Sequence, residues 1–504
     1  MTPVPFNLRH KTVWPLALVA LLAVLSGVAL ALAGPEAFLL RAGVVGAVIA
    51  LLATLPRPVW LLWLTLVSVP LLTVQINLGF QVLTLPEALF YAAFGIWLLR
   101  QLLRRRLTLR RSPMNLPATL FGAFYIISFL RSPALTLQAN DIGGDKLLYA
   151  ILVGLLMYLL VSNALDSRRD ILILISAWPI AGLLASVIGF QYYLSGQRLY
   201  DRLVSTLSQE HGPYLLYISA LLLGILAVGD EAGGGTEDGG RRYRAHRGAI
   251  WLLLALFGVQ MFLNGYRGVW ATMALIFLGY LAWNFKRRWQ VALALVLMLA
   301  MAGWVVLNAS LPAGLELPSV LERALNSFSS DDLAAGARML AWRFALELGG
   351  ESPILGLGLN AFRERYLRLA LPPALTMGER GIAAHNMYLD MLVEVGLLGL
   401  AAFVWLFVAA FRRQRELLRL TAGDRQLYGV VVGLSFMLLS FLVWGFTNSP
   451  LHKLLTANLN IFAALGLLNS IYAVTTQSRL KPFLQAEAES RDDRRGTTGD
   501  GGPP

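Results

Sequence analysis

Four side chains in this sequence pair ionisable chemistry with apolar surroundings: His385 at the head of a long apolar run, and Arg202, Arg267 and Arg338 beside others. An imidazole titrates near neutrality, so it can take or give a proton under physiological conditions. Its neighbours in His385-Asn386-x-Tyr388-Leu389 extend that reach, because an asparagine at a helix start caps the helix or bonds a sugar, and a tyrosine offers a hydroxyl. Position alone also fits a plainer reading, a helix-start histidine satisfied by solvent. A guanidinium at a membrane edge is costly unless it is paired or binds an anion, and its planar fork suits phosphate oxygens. Each arginine taken singly equally fits snorkelling to water. Arg267, between Tyr266 and Trp270 in Asn264-Gly265-Tyr266-Arg267-Gly268, also fits an aromatic-belt anchor, while the glycines beside it permit close backbone approach.

Other chemistries find little in the chain. There is no cysteine, which excludes disulfides and thiolate metal sites. No Gly-x-x-x-x-Gly-Lys or His-Glu-x-x-His pattern occurs, and Gly356-x-Gly358 lies in a water-facing loop without the strand that a dinucleotide site needs. Asp331-Asp332 diverge by about 100° on a helix, which describes a solvated pair rather than a metal site. Glu394 follows His385 by nine positions, and at about 100° per residue it faces the opposite side of an ideal helix, so it is expected to pack structurally, near Asp390 or a neighbouring helix. No cofactor and no metal are expected.

The elements that must position these residues follow from composition. Of 504 residues 57% are apolar and only 14% charged, with a mean hydropathy of +0.63, which describes a polytopic membrane protein. Continuous apolar runs approach the roughly 20 residues that cross a bilayer as a helix and lack the alternation of a barrel, so the fold class is all-α. The net charge of +13 does not indicate nucleic acid, because the arginines cluster in short segments between apolar runs. Roughly fourteen spans can be placed that put Arg9 to Lys11, Arg100 to Arg111, Arg168-Arg169, Arg241 to Arg247, Lys286 to Arg288 and Arg412 to Arg425 all on the cytoplasmic side, with both termini inside. They lie near 13–33, 37–54, 59–74, 83–99, 115–131, 146–163, 171–194, 212–229, 249–264, 269–285, 289–308, 385–411, 426–447 and 454–474. A re-entrant second and third segment would reduce the total to about twelve. The first run is read as a retained anchor, being longer than a signal core. The expected organisation is an N-terminal transmembrane bundle over 1–308, with a flexible cytoplasmic loop at 229–248, and an extracytoplasmic helical lid over 309–384. Further spans over 385–475 follow, then a cytoplasmic tail over 476–504 whose end, from Gln485, has a disorder-favouring composition.

The run from Arg338 and Trp342 through Pro353-x-x-Gly-x-Gly358 to His385-Asn386-x-Tyr388-Leu389 and Glu394-x-Gly396-Leu397-x-Gly399 resembles the O-antigen ligase and polymerase superfamily of bacterial membrane glycosyltransferases. The resemblance is strongest over 338–400, moderate over 200–225 and 262–275, and absent from the first hundred residues; at Arg202 a Gly-Thr-Phe-type motif is replaced by Ser205-Thr206-Leu207. It implies that Arg202, Arg267 and Arg338 hold a lipid diphosphate, that His385 is catalytic, and that Asn386 and Tyr388 position acceptor or sugar. The implied donor is a glycan on undecaprenyl diphosphate, the acceptor a glycan, lipid or protein hydroxyl, and the site the outer side of the bacterial cytoplasmic membrane. Ligase and polymerase share this donor chemistry and differ in acceptor. A transporter of lipid-linked glycans is the rival from another class; it would place charged groups and broken helices near the bilayer midplane, whereas the candidates here crowd one boundary.

Overall fold

A computed structural model describes residues 58–77, 82–105, 109–132, 144–196, 203, 205–207, 210–228, 237–283, 333–367, 383–451 and 454–496. The expected spans at 13–33, 37–54 and 289–308, and with them Arg202, His10 and His452, lie outside these residues. Helices dominate: α1 (Val59–Val67), α2 (Leu85–Leu103), α3 (Asn115–Leu130), α4 (Gly144–Ala164), α5 (Arg168–Leu194), α6 (His211–Ala227), α7 (Glu237–Asn264), α8 (Arg267–Trp283), α9 (Leu333–Glu351), α10 (Ala361–Leu367), α11 (Met387–Leu420), α12 (Arg425–Trp444) and α13 (Leu454–Gly496). The protein is an all-α multi-pass membrane protein. Among the described residues, six helices are long and apolar enough to span a bilayer: Asp145–Ala164, Arg168–Leu194, His246–Asn264, Met387–Leu420, Arg425–Trp444 and Leu455–Leu480; α3, α6 and α8 are shorter apolar helices.

Three elements differ from the sequence expectation, each for a local reason. The segment at 59–74 is not one helix: α1 has 9 residues, about 14 Å, and a 3-10 turn at Val69–Leu71 containing Pro70 ends it. An antiparallel hairpin follows, β1 (Gln75–Asn77) against β2 (Val82–Thr84), with Ile76 opposite Leu83. Helix α7 begins at Glu237, inside the loop expected at 229–248, and takes in Gly239 and Gly240 ahead of the helix-favouring run from Arg241 to Arg247. Helix α13 likewise runs to Gly496 through a segment whose composition suggests disorder, and Ala486, Glu487, Ala488 and Glu489 there are strong helix formers.

The packing sorts the charges by end of the bundle. At one end Arg168 bonds Asp424 at 2.5 Å, Arg425 donates to the Val228 carbonyl, Arg110 pairs with Asp166, and Arg479 donates to the Leu420 carbonyl. Among the described residues, the basic clusters at 100–111, 168–169 and 412–425 therefore share one end. Between the ends the helices approach closely through small residues: a Cβ on Gly433 of α12 would sit 2.6 Å from the Leu221 carbonyl of α6, the kind of contact that drives helix association in lipid.

At the other end α11 is broken. Gly396 has φ 68° and ψ −172°, so the backbone groups around it lose their helical partners. The loop 353–358 supplies replacements. Leu357 N donates to the Val393 carbonyl at 2.7 Å, Gly358 N to the Glu394 carbonyl at 3.2 Å, and the Pro353 and Ile354 carbonyls accept from Leu397 N and Leu398 N at 2.8 and 3.2 Å. Gly356 is also left-handed, at φ 70°, and a side chain on it would strike the Glu394 carbonyl. The Pro353-x-x-Gly-x-Gly358 motif is thus the plug that completes a broken helix. The first half of α11 joins α9 and α10 in a small separate core of Ala341, Ala345, Leu348, Phe362, Tyr366, Ala384 and Val393.

Candidate functional site

His385 is half-buried and sits at φ 51°, a left-handed conformation uncommon for a residue with a side chain. Its neighbours hold it there. The Ala384 carbonyl accepts from Trp342 Nε1 at 2.9 Å, and the Ala384 N–H donates to Asp390 Oδ1 at 2.9 Å. Met387 N donates to the carbonyls of Gly445 and Asn448 at 2.8 and 3.0 Å. Asn386 caps α11: its Oδ1 accepts from Tyr388 N at 3.1 Å and Leu389 N at 3.3 Å. The carbonyl end of Asn386 is therefore committed to the helix. Tyr388 donates its hydroxyl to the Leu442 carbonyl at 2.7 Å and packs its ring 4.5 Å from Phe446.

The turn that follows α12 contacts both the start of α8, where Arg267 lies, and the backbone just after His385. Arg267 opens α8. The next residue is Gly268, whose missing side chain lets α8 press on that turn: a Cβ there would lie 2.6 Å from both Trp444 and Thr447 Oγ1. Tyr266 meets the Trp444 ring edge-on at 6.2 Å, and Trp270 stacks on Phe262 at 5.2 Å. Residues 444–448 thus contact both α8 and the backbone N–H of Met387. Arg338 arrives by another route. It lies one turn before Trp342 on α9, hence on the helix face that contacts Ala384. Arg202 itself is outside the described residues, but Leu203 N donates to the Leu263 carbonyl at 3.1 Å and Asn264 Nδ2 donates to the Leu203 carbonyl at 2.8 Å. That segment therefore runs beside the residues that lead into Arg267.

Glu394 is buried, as expected for a packing residue, with Oε1 accepting from Asn360 N at 3.0 Å, in the loop before α10 rather than on a neighbouring helix. His211, the other described histidine at this end, is fully buried between Ser205 Oγ at 2.9 Å and Gln260 Oε1 at 2.7 Å. It ties the 203–207 segment to α7.

Two residues of the site escape sequence reasoning. Asp390, 1% exposed, accepts from Ala384 N and from the Ser449 hydroxyl. Its spacing from Ala384 gave a signal only in hindsight, since a carboxylate in the first turn of a helix usually answers that helix's own N–H groups. Ser449, 59 positions later in the chain, gave none.

The family model described as O-Antigen ligase matches residues 252–404, under a third of the chain, a segment that contains Arg267, Arg338 and His385 and begins after Arg202. No curated protein matches the chain. The matched segment holds α9, the broken helix α11 and the start of α8, and over these residues the chain is similar to the O-antigen ligase family.

Proposed function

We propose that this protein transfers a glycan from undecaprenyl diphosphate to an acceptor hydroxyl at the extracytoplasmic face of the bacterial cytoplasmic membrane. The observation that carries this reading is the left-handed, four-point restraint of the backbone around His385, made by α9, α11 and the turn after α12. Such restraint fixes the direction of an imidazole and is worth its strain where geometry decides a rate. In the proposed step an acceptor O–H gives its proton to His385 while its oxygen forms a bond to the anomeric carbon. The bond from that carbon to the diphosphate oxygen breaks with inversion, and undecaprenyl diphosphate leaves as the anion. Arg267, Arg338 and Arg202 hold the diphosphate and stabilise the charge it gains, a task suited to a partly dry membrane edge. Asn386, through its amide nitrogen, and Tyr388 line the approach of acceptor or sugar. Asp390 acts through His385 by fixing Ala384.

The test is reconstitution of the purified protein with a defined undecaprenyl diphosphate glycan and a panel of lipid, glycan and protein acceptors. The wild-type chain moves sugar to one class of acceptor, which separates ligase from polymerase. His385→Ala abolishes transfer while inserting and folding normally; undiminished product from that variant refutes the assignment of the base.

A further inference from the structure

The end of the bundle away from His385 contains a cavity of about 180 Å³ between α1, the C-terminal turn of α2 and the start of α5. Its walls divide by chemistry. Arg100 and Arg104, one turn apart and on the same face of α2, supply two guanidinium groups that form no ion pair among the described residues. Asp166 and Asp170 line the same cavity from the α4–α5 connection. Asp166 already neutralises Arg110 at 2.7 Å with one oxygen, and Asp170 accepts from Ser167 Oγ at 2.7 Å; each keeps its second oxygen. The apolar part comes from Val59 and the buried Trp97.

Two cations and two carboxylates facing one small space call for a ligand that carries both signs a few ångströms apart. The geometry points to a phosphoethanolamine headgroup of a membrane phospholipid, with its phosphate on Arg100 and Arg104 and its ammonium on Asp170 and Asp166. A sugar nucleotide carries no cation to answer the carboxylates. Charge separates the common headgroups: phosphoglycerol leaves the carboxylates unanswered, and phosphocholine offers them no N–H donor. Trp97 and Val59 fit the glycerol and the first acyl carbons, and a ring of basic residues at this end suits the interfacial depth of a headgroup. The site is independent of the glycan chemistry proposed above.

The test uses the full chain, delipidated in detergent and exposed to equimolar phosphatidylethanolamine, phosphatidylglycerol and phosphatidylcholine, with retained lipid counted by native mass spectrometry. The wild-type chain retains phosphatidylethanolamine about tenfold over the other two. Arg100→Gln/Arg104→Gln loses that retention, and Asp170→Asn binds phosphatidylethanolamine and phosphatidylglycerol equally. Arg104→Gln alone, at the exposed C-cap of α2, weakens retention without touching the buried structure. Equal retention of all three lipids by the wild-type chain, or an unchanged preference in variants that elute as monodisperse protein, overturns the assignment. Displacement by water-soluble glycerophosphoethanolamine at equal concentration also overturns it, because a soluble ligand and not a lipid would then own the site.

Discussion

At the scale of single residues, the site separates groups that would touch substrate from groups that aim them. Asp390 belongs to the second kind. In Asp390→Asn the amide can no longer accept from both Ala384 N and Ser449 Oγ, and one buried donor is left without its partner at about 1–3 kcal/mol. If that strain falls on the orientation of His385, kcat drops roughly ten- to a hundredfold while KM for the donor, which the proposal assigns to the arginines, stays within about twofold. Ser449→Ala removes a single hydrogen bond and gives the same pattern at smaller size. Steady-state kinetics on both variants decide it, since a merely structural defect lowers active protein and leaves the ratio of effects on kcat and KM unpatterned. Arg338→Lys tests a substrate contact instead. An ammonium keeps the charge and loses the two-pronged fork, so kcat/KM falls by about tenfold or more, and full activity in that variant means Arg338 only anchors the lid.

At the scale of elements, the broken helix is the part the sequence disclosed in pieces without showing how they join. Its two motifs, Pro353-x-x-Gly-x-Gly358 and Glu394-x-Gly396, are legible as strings, and so is the apolar run of α11. Reading 385–411 as one continuous helix was natural because hydropathy averages over a single left-handed glycine. What no window contains is that carbonyls and N–H groups of one motif complete the helix interrupted at the other, 40 residues away in sequence between Gly356 and Gly396. The consequence is testable: Gly396→Ala adds a Cβ against the Ile354 carbonyl at a φ of 68°, with about 1–3 kcal/mol from the backbone alone. It therefore lowers the thermal unfolding midpoint in detergent and frees the lid to protease. An undisturbed midpoint would mean that the plug bears no load. A second element contact carries a pH signature. Asp424 caps α12 through Gln426 N and Leu427 N, and the hydrogen bond from Arg168 holds its carboxyl below the ordinary range. Because the folded pKa is depressed, the stabilisation is complete above the unfolded value of about 3.9 and disappears as pH falls through the folded one. Asp424→Ala is therefore less stable than wild type by about 1 kcal/mol at pH 7, and the difference begins to shrink below about pH 4 and closes as pH falls through the depressed folded pKa.

At the scale of the whole molecule, the separation of charges by end was the most legible feature of all, since the spacing of arginine clusters along the chain fixes it once the spans alternate. Arg110, Arg168, Asp424 and Arg425 do meet at one end, and Ala384, His385, Gly445 and Gly268 at the other. The pairing of α8 with the turn after α12 was not legible, because it depends on Gly268 fitting Trp444 across 176 positions of sequence. What remains is to assign the ends to compartments, and the chain lends itself to that: it contains no cysteine, so one introduced thiol reports alone. Met339, 65% exposed on α9 next to Arg338, marks the His385 end, and Leu480, 52% exposed near the Arg479–Leu420 contact, marks the other. In intact spheroplasts a membrane-impermeant maleimide labels Met339→Cys at once and reaches Leu480→Cys only after permeabilisation. The reverse order would put the histidine and its arginines in the cytosol, where no translocated lipid-linked glycan could meet them, and the proposed transfer would fall with it.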